Sequence, residues 1–229
     1  MDVRLKTAIK TVLNMLWHLG PCDDIYMFHH VSLHPAVDLS CCKLDTEDFR
    51  KFCSVPRAYV SLETLVADKA YSGKCAVTFD DGLEDVYTLA LPILREKKIP
   101  FTVFVLSRKV GQPGYLTREQ LRELAAEPLV TIGAHGTEHA ILTELNEEQQ
   151  RSEIFDSKRE LEELLGKKVE FYAYSHGTYD ETTLRLIREA GYRCAFAVDG
   201  RPLYRKTDRG PFAYPRLSVE ADTKRMFGL

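Results

Sequence analysis

Long apolar runs are missing from this chain. Residues 3–19 (VRLKTAIKTVLNMLWHL) come nearest, but Lys10 and Asn14 interrupt them, and the stretch is too short and polar to span a bilayer. It also lacks the unbroken apolar core and small-residue cleavage site of a secretory leader. A basic excess is missing too. Lys and Arg number 31 against 34 Asp and Glu, a net charge of -3, so the charge balance gives no reason to expect a nucleic-acid partner. The six cysteines (Cys22, Cys41, Cys42, Cys53, Cys75 and Cys194) form no C-x-x-C pair, and two of them are adjacent. Reduced thiols in a cytoplasmic protein are the expectation. There is no internal repeat, low-complexity tract or Pro/Gly-rich linker.

What is present is an ordinary globular composition, 45% hydrophobic and 28% charged, over 229 residues. At about 100–200 residues per domain this is read as a single domain, 1–229. Within 3–19, Leu5, Ile9, Val12, Leu13 and Leu16 recur at helical spacing with Arg4, Lys6 and Lys10 among them. That pattern predicts an N-terminal amphipathic helix packed on the body of the protein. Trp17 and the basic residues would also suit peripheral contact with a membrane surface.

From residue 25 onward, short runs rich in β-branched and aromatic residues alternate with longer helical patterns. Strands are predicted at 25–31, 75–80, 101–106, 129–133, 169–174, 193–198 and 212–217. Helices are predicted at 84–98, 117–126 (opening on a Thr117–Gln120 capping box), 146–165 (Asn146 to Gly166) and 181–190. Residues 32–60 are the least regular and read as an excursion after the first strand. The alternation implies α/β architecture with a parallel sheet, either a barrel or an open doubly wound sheet.

Two segments carry chemistry. Thr78-Phe-Asp-Asp-Gly82 runs an apolar strand directly into two carboxylates. Ligands gather at the carboxyl ends of parallel strands, and neighbouring carboxylates repel unless one holds a cation or a proton. The same residues also suit a capped turn. Gly133-Ala-His-Gly-Thr-Glu-His139 follows another strand, and its histidines are spaced i, i+4. One helical turn would bring both imidazoles to one side. Asp81, His135 and His139 would then make a three-ligand site with open positions. Glu138 is not placed as in H-E-x-x-H, so a zincin protease is not supported.

Together, Asp80-Asp81-Gly82 and His135-x3-His139 resemble the first two motifs of the polysaccharide deacetylases (NodB-like, carbohydrate esterase family 4), T-F-D-D-G and H-[ST]-x-x-H. The first is matched completely; in the second, Gly136 replaces Ser or Thr. The resemblance covers roughly 25–217 and implies a distorted (β/α)7 barrel. It implies a metal-dependent hydrolase that removes N-acetyl groups from an amino sugar in a polysaccharide, oligosaccharide or glycan precursor. Asp80 would be the base. Asp81, His135 and His139 would hold one divalent metal, zinc first, with cobalt, nickel or manganese able to replace it.

The third family motif, R-x-P-[YF]-G, corresponds here to Ala173-Tyr174-Ser175-His176-Gly177, so Arg, Pro and the aromatic residue are all replaced. The amide of His176 could still bind an oxyanion. Arg216, in the last predicted strand, could supply the missing guanidinium. Tyr174, Gly177 and Tyr179 are expected at the substrate. The family's C-terminal acidic histidine has no counterpart, because no histidine follows His176. Candidates for the acid are His176, His29, His30, or Asp80 returning its proton, and Asp199 could line the pocket. The departures keep two other readings open: a catalytically impaired metal- and carbohydrate-binding protein of the same fold, and a deacylase of small non-sugar amides.

Overall fold

The computed structural model describes residues 23–33, 43–68, 73–198 and 210–219. The expected helix over 3–19, Cys22, Cys41, Cys42 and Asp199 lie outside them. In chain order the strands are β1 (Asp24–Phe28), β2 (His30–Ser32), β3 (Lys43–Asp45), β4 (Ala58–Tyr59), β5 (Lys74–Phe79), β6 (Phe101–Val105), β7 (Val130–Ala134), β8 (Phe171–Ala173), β9 (Cys194–Val198) and β10 (Tyr214–Ser218). The helices are α1 (Thr46–Ser54), α2 (Leu62–Ala67), α3 (Leu91–Lys97), α4 (Arg118–Ala126), α5 (Glu147–Leu165) and α6 (Glu181–Glu189).

The sheet order is β1-β10-β9-β8-β7-β6-β5, and β5 pairs back onto β1. Every pairing is parallel, so seven strands close into a barrel with helices outside. Closure removes both sheet edges. The short β4 pairs with β5 only at Lys74 and Cys75, ahead of the point where β6 joins at Val77. It fills the lower part of that edge. Of the expected excursion, residues 43–60 supply β3, α1 and β4.

Side chains alternate across each strand. Ile25, Ala76, Phe104, Phe171, Ala173, Cys194 and Phe196 fill the barrel interior. The opposite parity, including Tyr26, Phe28, Val77, Phe79, Val103, Val105, Ala134 and Tyr172, packs with Phe49, Leu94, Leu121, Ile154 and Ile187 from the helices. Cys53, Cys75 and Cys194 are buried free thiols. Burial pushes them up to about 12, 12 and 11 respectively.

The helix expected over 84–98 begins as a π turn at Val86–Ala90 and becomes regular only at Leu91. Pro92 has no N–H to give the preceding turn and would crowd its carbonyl, so the hydrogen-bond ladder widens there. The other helices start where their caps predict. Thr117, Asn146 and Asp180 each accept from the backbone three residues on, with reciprocal capping boxes. Gly166, at φ 63°, ends α5.

Candidate metal centre and active site

Strand parity decides which side chains meet at the barrel mouth. Ala76, Thr78 and Asp80 follow one inward row off β5, and Tyr214 and Arg216 follow another on β10. Arg216 is wholly buried. Its two terminal nitrogens donate to the two carboxylate oxygens of Asp80, Nη1 to Oδ1 at 2.6 Å and Nη2 to Oδ2 at 2.7 Å. Thr78 braces the pair: its hydroxyl donates to the Tyr26 carbonyl at 2.9 Å and accepts from Arg216 Nη1 at 3.3 Å. Burial alone would raise the pKa of Asp80. Burial is the largest single effect, but the Arg216 charge, His135, the Arg216 hydrogen bonds and His29 together outweigh it, and the carboxyl is pulled down to about 2.

The strand then breaks sharply. Asp81 has φ 70° and Gly82 φ 71°, two left-handed residues in succession. A Cβ on Gly82 would stand 3.1 Å from Val105 Cγ1, so the close approach to β6 also requires glycine. The turn points Asp81 away from Arg216 and toward the histidines. Its Oδ1 is buried with no hydrogen-bond partner, 3.5 Å from His135 Nε2 and 3.4 Å from His139 Nε2.

His135 and His139 do converge, but not on a helical turn. Residues 135–140 form an irregular loop with Gly136 at φ 91° and His139 at φ 67°. The positive φ values reverse the chain and carry the second imidazole back to the first. Nδ1 of His135 lies 2.8 Å from the Ala173 carbonyl, which can only accept, so Nδ1 donates there and Nε2 is the nitrogen turned toward Asp81. His139 is held well below the ordinary imidazole range by burial, with His135 adding.

The ligand atoms of Asp81, His135 and His139 all lie within 4.8 Å of one another, and no other such cluster of His, Cys, Asp and Glu occurs among the described residues. An orphaned carboxylate oxygen facing two free imidazole nitrogens is the donor set of a borderline divalent metal. The residues therefore fit the group.

The third-motif residues divide. His176 is exposed at φ 57°, with its ring 4.4 Å from that of His139, so it borders the cluster. Gly177, at φ 71°, packs under Val198, 2.8 Å from where its Cβ would be. Tyr174, expected at the substrate, is fully buried. It lies on the outward parity, with its hydroxyl on the Phe212 carbonyl at 2.7 Å and its ring stacked on half-buried Tyr179. Its place is in the core. Ala173 and Ser175 brace the loop that begins at His135, the first through its carbonyl and the second through its hydroxyl, which donates to the His135 carbonyl at 2.8 Å.

His29 and His30 part ways by parity. His29 continues the inward row of Ile25 and Met27, and Asp80 donates its N–H to the carbonyl of the preceding residue, Phe28. His30 faces the other way, with Nδ1 2.7 Å from Asp85 Oδ2. Nothing in the sequence pattern marks Glu153. From the middle of α5 it accepts from the amides of Thr137 and Glu138 and from the Thr137 hydroxyl.

Comparison with known proteins gives a consistent result. The family model "Polysaccharide deacetylase" matches residues 68–195. A Bacillus subtilis protein named only provisionally as a polysaccharide deacetylase, YxkH, is 33% identical over 156 residues, covering 68% of this chain and 55% of its own. The peptidoglycan-N-acetylglucosamine deacetylase of Bacillus cereus is 28% identical over 139 residues, 60% of this chain and 61% of its own. The chain thus spans little more than half the length of these relatives. The structure of the Streptococcus pyogenes deacetylase PplD in complex with acetate superposes with a TM-score of 0.78 at 21% identity, covering 88% of this chain and 94% of that one, which shows a shared fold.

Proposed function

Because the chain belongs to the polysaccharide deacetylase family, we propose that it is a metal-dependent hydrolase releasing acetate from an N-acetylated amino sugar in a polysaccharide, oligosaccharide or glycan precursor. The observation that carries the reading is the pairing of a buried, arginine-clamped carboxylate with an Asp–His–His donor set one residue away. A divalent metal held by Asp81, His135 and His139 would polarise the acetamide carbonyl and lower the pKa of water from 15.7 toward about 7.

Asp80 is the proton acceptor for the attacking water. Arg216 keeps it ionised and fixed. Water oxygen adds to the carbonyl carbon, the C–N bond breaks, and the amine leaves with one proton. His29 is the donor proposed for that proton, because it follows the inward row of β1, beside the backbone bond that ties Asp80 N to the Phe28 carbonyl. His176, exposed beside His139, supplies its backbone amide to the oxyanion. The products are acetate and a free amino sugar. Zinc is the expected metal, and a glycan the expected partner. No helix among the described residues is long and apolar enough to cross a membrane.

The test is Asp80→Asn, with metal content and acetate release from N-acetylglucosamine oligomers both measured. Metal retained at about one per chain, with turnover down by roughly 10²- to 10⁴-fold, is expected. Undiminished turnover in that variant refutes the role given to Asp80. Oligomer binding with no acetate release by the wild type would instead identify a binding protein of the same fold. Acetate release only from small non-sugar amides would move the substrate class.

A further inference from the structure

The family's motif has Ser or Thr where this chain has Gly136, and the structure shows what occupies the space. A Cβ built on Gly136 would stand 2.8 Å from Glu153 Oε2, closer than such atoms approach. The same position lies 3.5 Å from the Tyr172 hydroxyl, which is buried without a hydrogen-bond partner, and 3.7 Å from Ser175 Oγ. The carboxylate of Glu153 thus lies in the space that a side chain at 136 would enter.

Glu153 uses that access fully. Its Oε2 accepts from Thr137 N at 2.7 Å and from Glu138 N at 3.3 Å, and Oε1 accepts from the Thr137 hydroxyl. All three donors lie between His135 and His139. The carbonyl side of the same loop is tied elsewhere: Ser107 N donates to Gly136 O at 3.1 Å and Arg108 N to Thr137 O at 3.3 Å. Carbonyls are thus pinned to the segment after β6, and amides to a carboxylate on α5. No other side chain in the described residues hydrogen-bonds those two amides.

We infer that Glu153 is a positioning residue for the metal ligands, a carboxylate from α5 that fixes the His135–His139 loop in place of the side chain Gly136 lacks. It touches neither ligand atom. It acts by holding the two residues between Gly136 and His139, the positive-φ positions where the loop turns. The affinity arm of the test rests on the metal reading above; the exchange arm does not.

Cobalt(II) affinity by titration calorimetry and amide hydrogen exchange at Thr137 and Glu138 in metal-free protein are to be measured for the wild type, Glu153→Ala and Glu153→Gln. Loss of an outer partner of this kind costs roughly 10- to 100-fold in metal affinity. Glu153→Ala is expected to show that loss and faster exchange at both amides. Glu153→Gln can still accept from the amides and donate to the Thr137 hydroxyl, so it is expected to stay close to wild type. Glu153→Asp, one methylene shorter and unable to reach both amides from the same helix position, supplies the same measurement should Glu153→Ala not fold. Unchanged cobalt affinity or unchanged exchange in Glu153→Ala overturns the assignment. If the wild type takes up no cobalt, the metal reading falls, and amide exchange alone then decides for or against Glu153.

Discussion

Two ionised side chains taken out of water together stabilise a fold little, but one left alone there costs it heavily. Asp80 and Arg216 are in that position, 2% and 0% exposed. Arg216→Met is therefore expected to destabilise the metal-free protein by about 3–5 kcal/mol at pH 7, measured by urea unfolding. The pH dependence has a definite sign. In the wild type the carboxyl is held below its unfolded value, so its contribution is present above about pH 4 and is lost as pH falls through about 2. Without the guanidinium, burial raises the carboxyl instead, and the penalty is for ionising it. The deficit of the variant should shrink as the pH is lowered from 7 toward 4. A deficit that is constant over that range would show that packing against Phe104, whose ring lies 5.2 Å from the guanidinium, matters more than charge.

At the scale of elements, α5 links the outer helical layer to the His135–His139 loop through Glu153, so its ends matter to more than the helix. Asn146→Ala removes a capping box from a 19-residue helix and should cost about 1 kcal/mol. Wild-type cobalt affinity is expected to survive, because Glu153 lies two turns inside the frayed end. A stability equal to wild type would show that tertiary packing alone fixes this terminus. Caps such as Asn146, Thr117 and Gly166 were legible in the sequence because their chemistry is local. So was the meeting of Asp81, His135 and His139 in one cluster, since short motifs at strand ends need no knowledge of the rest of the chain. The route by which the histidines meet was not legible. An i, i+4 spacing reads as helix, whereas Gly136 and His139 are left-handed. Tyr174 was misplaced because only the strand's parity shows that it faces the helices. Glu153 gave no sign, being one acidic residue among several on α5, and its partners are 15 and 16 residues away.

At the scale of the molecule, the candidate site is the open end of a filled barrel, so interior volume and the placing of the Asp80–Arg216 pair are not independent. Phe104 is the link. It is directly across from Gly133 in the β6–β7 register, and it packs on Phe196 at 5.6 Å and under Arg216. A Cβ on Gly133 would stand 2.5 Å from Phe104 Cδ1 and 3.1 Å from the Phe171 carbonyl. Large and small residues share the layer there, and neither can grow without moving the other. Gly133→Val is expected to cost about 1–3 kcal/mol or more through overpacking. At this chain length each kcal/mol lowers the melting temperature by roughly 2–4 °C. Because the displaced ring moves toward the arginine that holds Asp80, turnover should fall further than stability alone explains. Gly166→Ala provides the comparison: it strains the left-handed cap of α5, where a Cβ meets nothing within 4 Å. Both variants should melt early, but only Gly133→Val should lose acetate release at temperatures where it remains folded. Equal activity in the two folded variants would show that the barrel interior and its mouth are mechanically separate.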